Sequence, residues 1–289
     1  MNIELSGHYG YRRIVRSVLP SIGMVIITSV YSIVDGFFVA NFAGKTGFAA
    51  INLTFPVIMM IGSLGLMIGS GGAALVAKIK GEGYQQKANR VFTMLVQFGL
   101  LLGLVLGGVL AVAAPAVARW LGADEPMMEE CVVYIRLNMI GMPGFVLQCA
   151  FQSFYMAAER PQSGTLMSVG AGVVNIVLDA ILVWALGMGV AGAALATAAG
   201  CLVGGLFPVF YFASRRNRGS LKISPSRFIW PYIGKACTNG MSEYVSSIAM
   251  NSVTICYNLQ LMRYLGEDGV SAYGVVMYVA FIFAGVFLG

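Results

Sequence analysis

Residues 91–117, VFTMLVQFGLLLGLVLGGVLAVAAPAV, run without one charged side chain. A helix rises about 1.5 Å per residue, and about 20 apolar residues carry it across a bilayer. Lipid offers a bare backbone no hydrogen-bond partner, so such a run is a helix or part of a closed barrel. Barrel strands read as short alternating segments, and nothing in this chain alternates. Working outward, seven more apolar runs appear, at 14–42, 48–77, 131–157, 163–186, 190–213, 236–262 and 270–289. Of the 289 residues, 58% are hydrophobic and 10% charged; a soluble domain carries about a quarter charged residues. The expected fold class is an all-α integral membrane protein, a polytopic helical bundle.

The net charge of +6 does not read as a nucleic-acid surface, because the basic residues sit in the gaps between apolar runs. Counted by alternate sides, one side holds Arg12, Arg13, Arg16, Lys78, Lys80, Lys87, Arg90, Arg160, Arg215, Arg216, Arg218, Lys222, Arg227 and Lys235. The other holds only Lys45, Arg119, Arg136 and Arg263. Positive loops stay inside, so the N-terminus and the 214–235 loop are expected in the cytoplasm. The start, MNIELSGHYGYRRIVR, precedes an apolar run too long for a cleavable signal. The five cysteines form no Cys-x-x-Cys pair and read as buried thiols.

A shift of 222 residues lays Gly44-Lys-Thr-Gly47 on Gly266-Glu-Asp-Gly269, each between two apolar runs. The order of a basic lead-in, an apolar run, a Gly-x-x-Gly turn and a second apolar run occurs twice. Six runs return the chain to its starting side, so the second unit would begin in the same orientation, as parallel transporter repeats do. The expected organisation is a complete six-helix N-lobe at 1–214, a basic inter-lobe loop at 215–235, and the first two helices of a second, parallel-repeat lobe at 236–289. The chain ends within VVMYVAFIFAGVFLG, which reads as a second lobe cut short; the alternative is an eight-helix protein complete as it stands.

A carboxylate inside a membrane span is costly and marks a functional hypothesis. Asp35 and Asp179 both lie about 10–12 Å below the outer ends of their helices at 1.5 Å per residue. Asn175 stands one turn before Asp179 on the same helix face, and Thr197 lies at a matching depth in the sixth run. These four oxygen donors suit a proton or a small hard cation such as Na⁺, and two neighbouring carboxylates hold a shared proton more tightly than one alone. The competing reading makes each acid a hydrogen-bonding anchor between helices. Glu243, in the inner half of the seventh run, is expected as a buried acid serving a C-lobe proton or drug site, or as an acid at the wetted cytoplasmic mouth. Pro20 interrupts the first run and is a candidate hinge for the helix carrying Asp35, or a fixed kink. Gly62, Gly65, Gly69, Gly71 and Gly72 lack the Gly-Lys-Ser/Thr ending of a phosphate loop and read as close helix packing. No nucleotide motif, catalytic set, cofactor site or metal site beyond the Na⁺ alternative is seen, so an enzyme is not expected.

These segments resemble the multidrug and toxic compound extrusion (MATE) family over the whole chain, and a bacterial multidrug-export subgroup in particular. The resemblance is carried by Pro20…Val34-Asp35-Gly36, Gly65-x-x-x-Gly69…Ala77-Lys-Ile-Lys-Gly81, Asn175-Ile-Val-Leu-Asp179, Gly189-Val-Ala-Gly-Ala-Ala-Leu-Ala-Thr197 and Asn239-Gly-Met-Ser-Glu243. It implies a multi-pass protein of the bacterial cytoplasmic membrane with two six-helix lobes. The implied activity is antiport of cationic or amphipathic drugs against H⁺ or Na⁺ by alternating access, without a bound cofactor or nucleotide. It also implies that Asp35, Asn175, Asp179 and Thr197 form the N-lobe cation site. Two alternatives stay open: a lipid-linked oligosaccharide flippase of the same superfamily, against which the absence of basic residues from the span centres argues, and a non-transporting membrane subunit.

Overall fold

The computed structural model describes residues 36–214 and 220–288. Within the described residues the apolar runs are helical: α1 (36–42), α2 (Gly44–Gly62), α3 (Leu64–Gly81), α4 (Gln85–Trp120), α5 (Glu125–Ala157) and α6 (Pro161–Asp179). A π-helical turn (Ala180–Ala185) continues α6, and α7 (Gly189–Ala213), α8 (Trp230–Asn239) and α9 (Met241–Leu288) complete the described chain. Five of the described helical stretches, Gly44–Gly81, Gln85–Trp120, Glu125–Ala157, Gln162–Ala185 and Gly189–Ala213, are long and apolar enough to cross a membrane. The all-α membrane architecture expected from the apolar runs is the one observed.

Three runs depart from unbroken helices. The second breaks at Ser63, whose hydroxyl donates to the Met60 carbonyl (2.7 Å) between α2 and α3. The fifth widens to the π form directly after Asp179. The seventh begins earlier than expected, at Trp230, and breaks at Gly240 between α8 and α9. Within α9 the backbone at Gly266 leaves the helix with φ 63° and ψ −152°, a conformation glycine adopts without a Cβ clash. The two arms fold back on each other there, so Tyr257 stacks on Tyr273 with ring centres 5.7 Å apart. This is the expected Gly-x-x-Gly reversal.

Helix α5 is the central post, packed by α2, α3, α4 and α7. Small residues let backbones touch, as lipid-embedded packing requires. A Cβ at Gly69 would lie 2.7 Å from the Ala150 backbone, and one at Gly103 2.6 Å from Pro143 Cα, so both α3 and α4 lie directly on α5. The glycine run of α3 therefore packs helices, as its lack of a phosphate-loop ending indicated. On the periphery α4 exposes Leu104, Val105, Val109 and Val112, and α6 exposes Leu166, Val173 and Val177. Rows of exposed aliphatic side chains are what a lipid-facing helix carries.

The linker before α8 is fastened rather than loose. Gln85 Nε2 donates to the Ser220 carbonyl (2.6 Å), Lys222 N to Asn89 Oδ1 (3.1 Å), Ser224 N to Thr93 Oγ1 (3.0 Å) and Ser226 Oγ to Gln97 Oε1 (3.0 Å). Every fourth residue of α4 thus meets every second residue of an extended strand. Lys80 adds a clip, donating to Glu159 Oε1 (2.5 Å) and Ser220 Oγ (2.9 Å). The hydrogen bond from the Lys80 ammonium holds the Glu159 carboxyl below its ordinary pKa.

Candidate functional site

Asp179 is the last residue of α6 and is fully buried, and Asn175, one turn earlier, is 6% exposed. Both therefore sit on the face of α6 turned inward. The neighbour on that face is α7. Gly200 of α7 approaches so closely that a Cβ there would lie 3.1 Å from Asn175 Cβ, and one at Gly192 would lie 3.0 Å from the Leu182 carbonyl. These two contacts set an antiparallel register in which Thr197, half-buried, lies level with Val177 and Leu178, within one turn of Asn175 and Asp179. Three of the four expected cation-site residues thus fall within about one turn of one α6–α7 seam.

The local backbone adds to the polarity of this level. In the π-helical turn the Leu186 N–H bonds the Ile181 carbonyl (2.9 Å), five residues back rather than four. Such a wide turn displaces backbone groups from their usual partners, and π turns recur at functional positions. The surroundings are apolar: Val183 and Val190 belong to a buried cluster with Val39, Ile135, Met139 and Ala193. A carboxyl group held here is shielded from water on the described sides and favours any cation or proton that reaches it.

Asp35 and Pro20 lie outside the described residues. Glu243 stands in the first turn of α9 with its side chain exposed among the described residues, as the reading of it as an acid at a wetted mouth would have it. The helix breaks at Gly240, three residues before Glu243, and α9 sets off anew there.

A polar contact that attention to carboxylates missed joins α2 to α9. Asn258, 1% exposed, donates from Nδ2 to the Asn52 carbonyl (3.0 Å), and Asn52 in turn faces Gly274, where a Cβ would lie 2.6 Å from its side chain. One end of the bundle is tied further by an ion pair between Lys45 and Asp268, which sit in the two Gly-x-x-Gly turns. Asparagines inside apolar runs were the available signal, since buried amides bond across helices.

The multidrug export protein MepA of Staphylococcus saprophyticus is 26% identical over 86% of this chain and 55% of its own length. MepA of Staphylococcus haemolyticus is 25% identical over 89% of this chain and 57% of its own. The chain thus spans little more than half the length of the curated relatives it matches. An inward-facing multidrug resistance MATE transporter of the MOP superfamily superposes with TM-score 0.77 and 25% identity, over 89% of this chain and 60% of that one. A MOP superfamily transporter from Pyrococcus furiosus, for which reversed polarity of the binding pocket suggests a different function, gives 0.78 and 26%, over 94% and 61%. The sequence model of the MatE family matches residues 20–181, more than half of the chain and inclusive of Asp35, Asn175 and Asp179, and the chain belongs to that family.

Proposed function

We propose that this chain forms the cation-coupled N-lobe, with the start of the C-lobe, of a bacterial secondary exporter that moves cationic or amphipathic drugs outward against H⁺ or Na⁺. The observation that carries this reading is Asp179, fully buried at the junction of α6 with its π turn, with Asn175 on the same face and Thr197 in register across the seam. Asp35 completes the site in this proposal. Its support is that Val39, four residues beyond Asp35, and Val183, four beyond Asp179, share one buried cluster. Relatives named for multidrug export support the drug-efflux class.

The mechanism follows from charge. A cation or proton entering the α6–α7 seam offsets the negative charge of a buried carboxylate, and two such acids side by side would hold the first proton more tightly. If the seam is tighter in one conformation, occupancy biases the lobe toward it, which is what coupling requires. The proposal puts the N-terminus and the linker on the cytoplasmic side. Support comes from the gathering of Lys80, Lys87, Arg90, Lys222 and Arg227 at one end of the bundle around the fastened linker.

The test uses the full-length gene in everted vesicles, with pH and Na⁺ gradients imposed separately. Asp35→Asn and Asp179→Asn should each lower gradient-driven drug uptake at equal membrane insertion, by about 5–150-fold for coupling of 1–3 kcal/mol. Unchanged uptake in both variants would remove the coupling role and leave only a family member with unknown energetics.

A further inference from the structure

A second polar feature lies far from the α6–α7 seam. Between the first turns of α4, the linker and α8 there is a cleft of about 1040 Å³, lined among others by Tyr84, Lys87, Arg90, Arg227, Ile229 and Tyr232. Three of its lining side chains are cationic and none is acidic. Among the described residues neither Arg90 nor Arg227 forms an ion pair. Lys87 is held between two rings, its Nζ 5.5 Å from the centre of Tyr232 and 6.0 Å from that of Tyr84. A concentration of like charge with no counter-charge in the lining lowers its energy by taking up an anion.

The place of the cleft decides the kind of anion. It opens where the polar first turns of α4 give way to the apolar run beginning at Val91, the depth at which headgroups meet hydrocarbon. Beside it the linker exposes Phe228, Ile229 and Trp230, the last 71% exposed. Exposed aromatic and aliphatic side chains next to unpaired cations suit an amphiphile with an anionic head, and basic pockets on membrane helices hold such heads. Arginine forks match phosphate oxygens with paired hydrogen bonds.

We infer that this cleft binds the phosphate headgroup of an anionic phospholipid, with Arg90 and Arg227 gripping the phosphate and the 228–230 segment resting on the acyl chains. One wall of the cleft is the linker and the other is α4, so a bound headgroup clamps the two together. The inference rests on the membrane reading of the chain and not on the cation site; its failure would leave the vesicle transport test standing.

The experiment is native mass spectrometry of the purified full-length protein, delipidated and offered equal amounts of phosphatidylglycerol and phosphatidylcholine of one chain length. The wild type should retain phosphatidylglycerol preferentially, by about fivefold for each engaged charge. Arg90→Gln/Arg227→Gln should bring the ratio near unity, and Arg90→Lys/Arg227→Lys, which keeps the charge, should preserve much of the preference; circular dichroism checks that both variants stay folded. Equal retention of the two lipids by the wild type would overturn the inference, as would an undiminished preference in the folded Gln variant. Displacement of phosphatidylglycerol by an equal concentration of glycerol 1-phosphate would overturn the lipid assignment in favour of a soluble phosphate ester.

Discussion

At the scale of single residues, two glycines carry the closest crossing of the fold. Gly71 of α3 and Gly240 between α8 and α9 face each other's helices, where added Cβ atoms would lie 1.9 Å from the Ala236 carbonyl and 2.0 Å from that of Met67. Neither obstacle is a flexible side chain, so the helices themselves would have to separate. Gly240→Ala should therefore destabilise by about 1–3 kcal/mol, as overpacking of tight sites does. Gly234→Ala, in the same α8 but with nothing within 4 Å of its Cβ, should be neutral or stabilise by up to about 1 kcal/mol through helix propensity. Thermal unfolding of the two variants in one detergent checks the contrast. Asp179 was legible at this scale because a charge in an apolar run announces itself. The packing of α7 on α6 was not, since depth counted along a helix does not say which neighbour it faces. The break at Gly240 was hidden for a related reason: it lies against α3, a partner that α8 reveals only once packed.

At the scale of elements, the linker is the main surprise. Its composition, Lys222, Ser224, Pro225, Ser226 and Arg227, reads as a solvated basic loop, yet Asn89, Thr93 and Gln97 of α4 hold it. Thr93 and Gln97, four apart and the two hydrogen-bonding side chains in the run from Val91 to Val117, were the visible sign, and only the folded chain shows what they meet. Asn89→Ala with Thr93→Val leaves the N–H groups of Lys222 and Ser224 without partners, at about 1 kcal/mol each. Limited proteolysis of the 214–229 region should then speed up about fivefold or more, while α4 itself stays protected. A cleavage rate equal to wild type would mean that the ladder does not hold the linker. The apolar runs, by contrast, gave up their helices readily, because length and the absence of backbone partners in lipid leave no other structure. Their breaks at Ser63, Gly240 and after Asp179 depend on neighbours and could not be read one run at a time.

At the scale of the whole molecule, α9 is joined to α2 by the Asn258–Asn52 bond, the Lys45–Asp268 pair and a buried cluster that includes Leu53, Ile255 and Val270. If lobes rock, these contacts must part whenever that end opens. A cysteine placed at Val270, fully buried here, should label slowly with a membrane-impermeant maleimide. Asn258→Ala should speed labelling by about fivefold, the worth of one hydrogen bond of ~1 kcal/mol. Lys45→Glu should act in the same direction but more weakly, since its pair is exposed, and Lys45→Glu/Asp268→Lys should restore the slow rate. Identical rates in all variants would show that this end does not open through α2 and α9. The repeat of Gly-x-x-Gly turns pointed to paired units from sequence alone; that Lys45 and Asp268, one from each turn, would touch could not be read without the fold.

The ladder on α4 has one more consequence. Two residues of extended strand advance about 6.6 Å, one helical turn plus a little, whereas four helical residues advance about 6.0 Å. The two scales drift like a vernier by roughly half an ångström per rung, so only a few rungs can stay in step, and the described ones end at Ser226 and Gln97. The next position of that spacing on α4 is Leu101, whose side chain cannot bond, and Gln85, the first rung, is already the first residue of the helix. The strand can therefore neither lengthen its grip nor slide, and it behaves as a tie-rod of fixed length rather than a slack tether. Whatever displaces the second pair of membrane helices must then swing them about the glycine joint at 240, with the rod as its anchor.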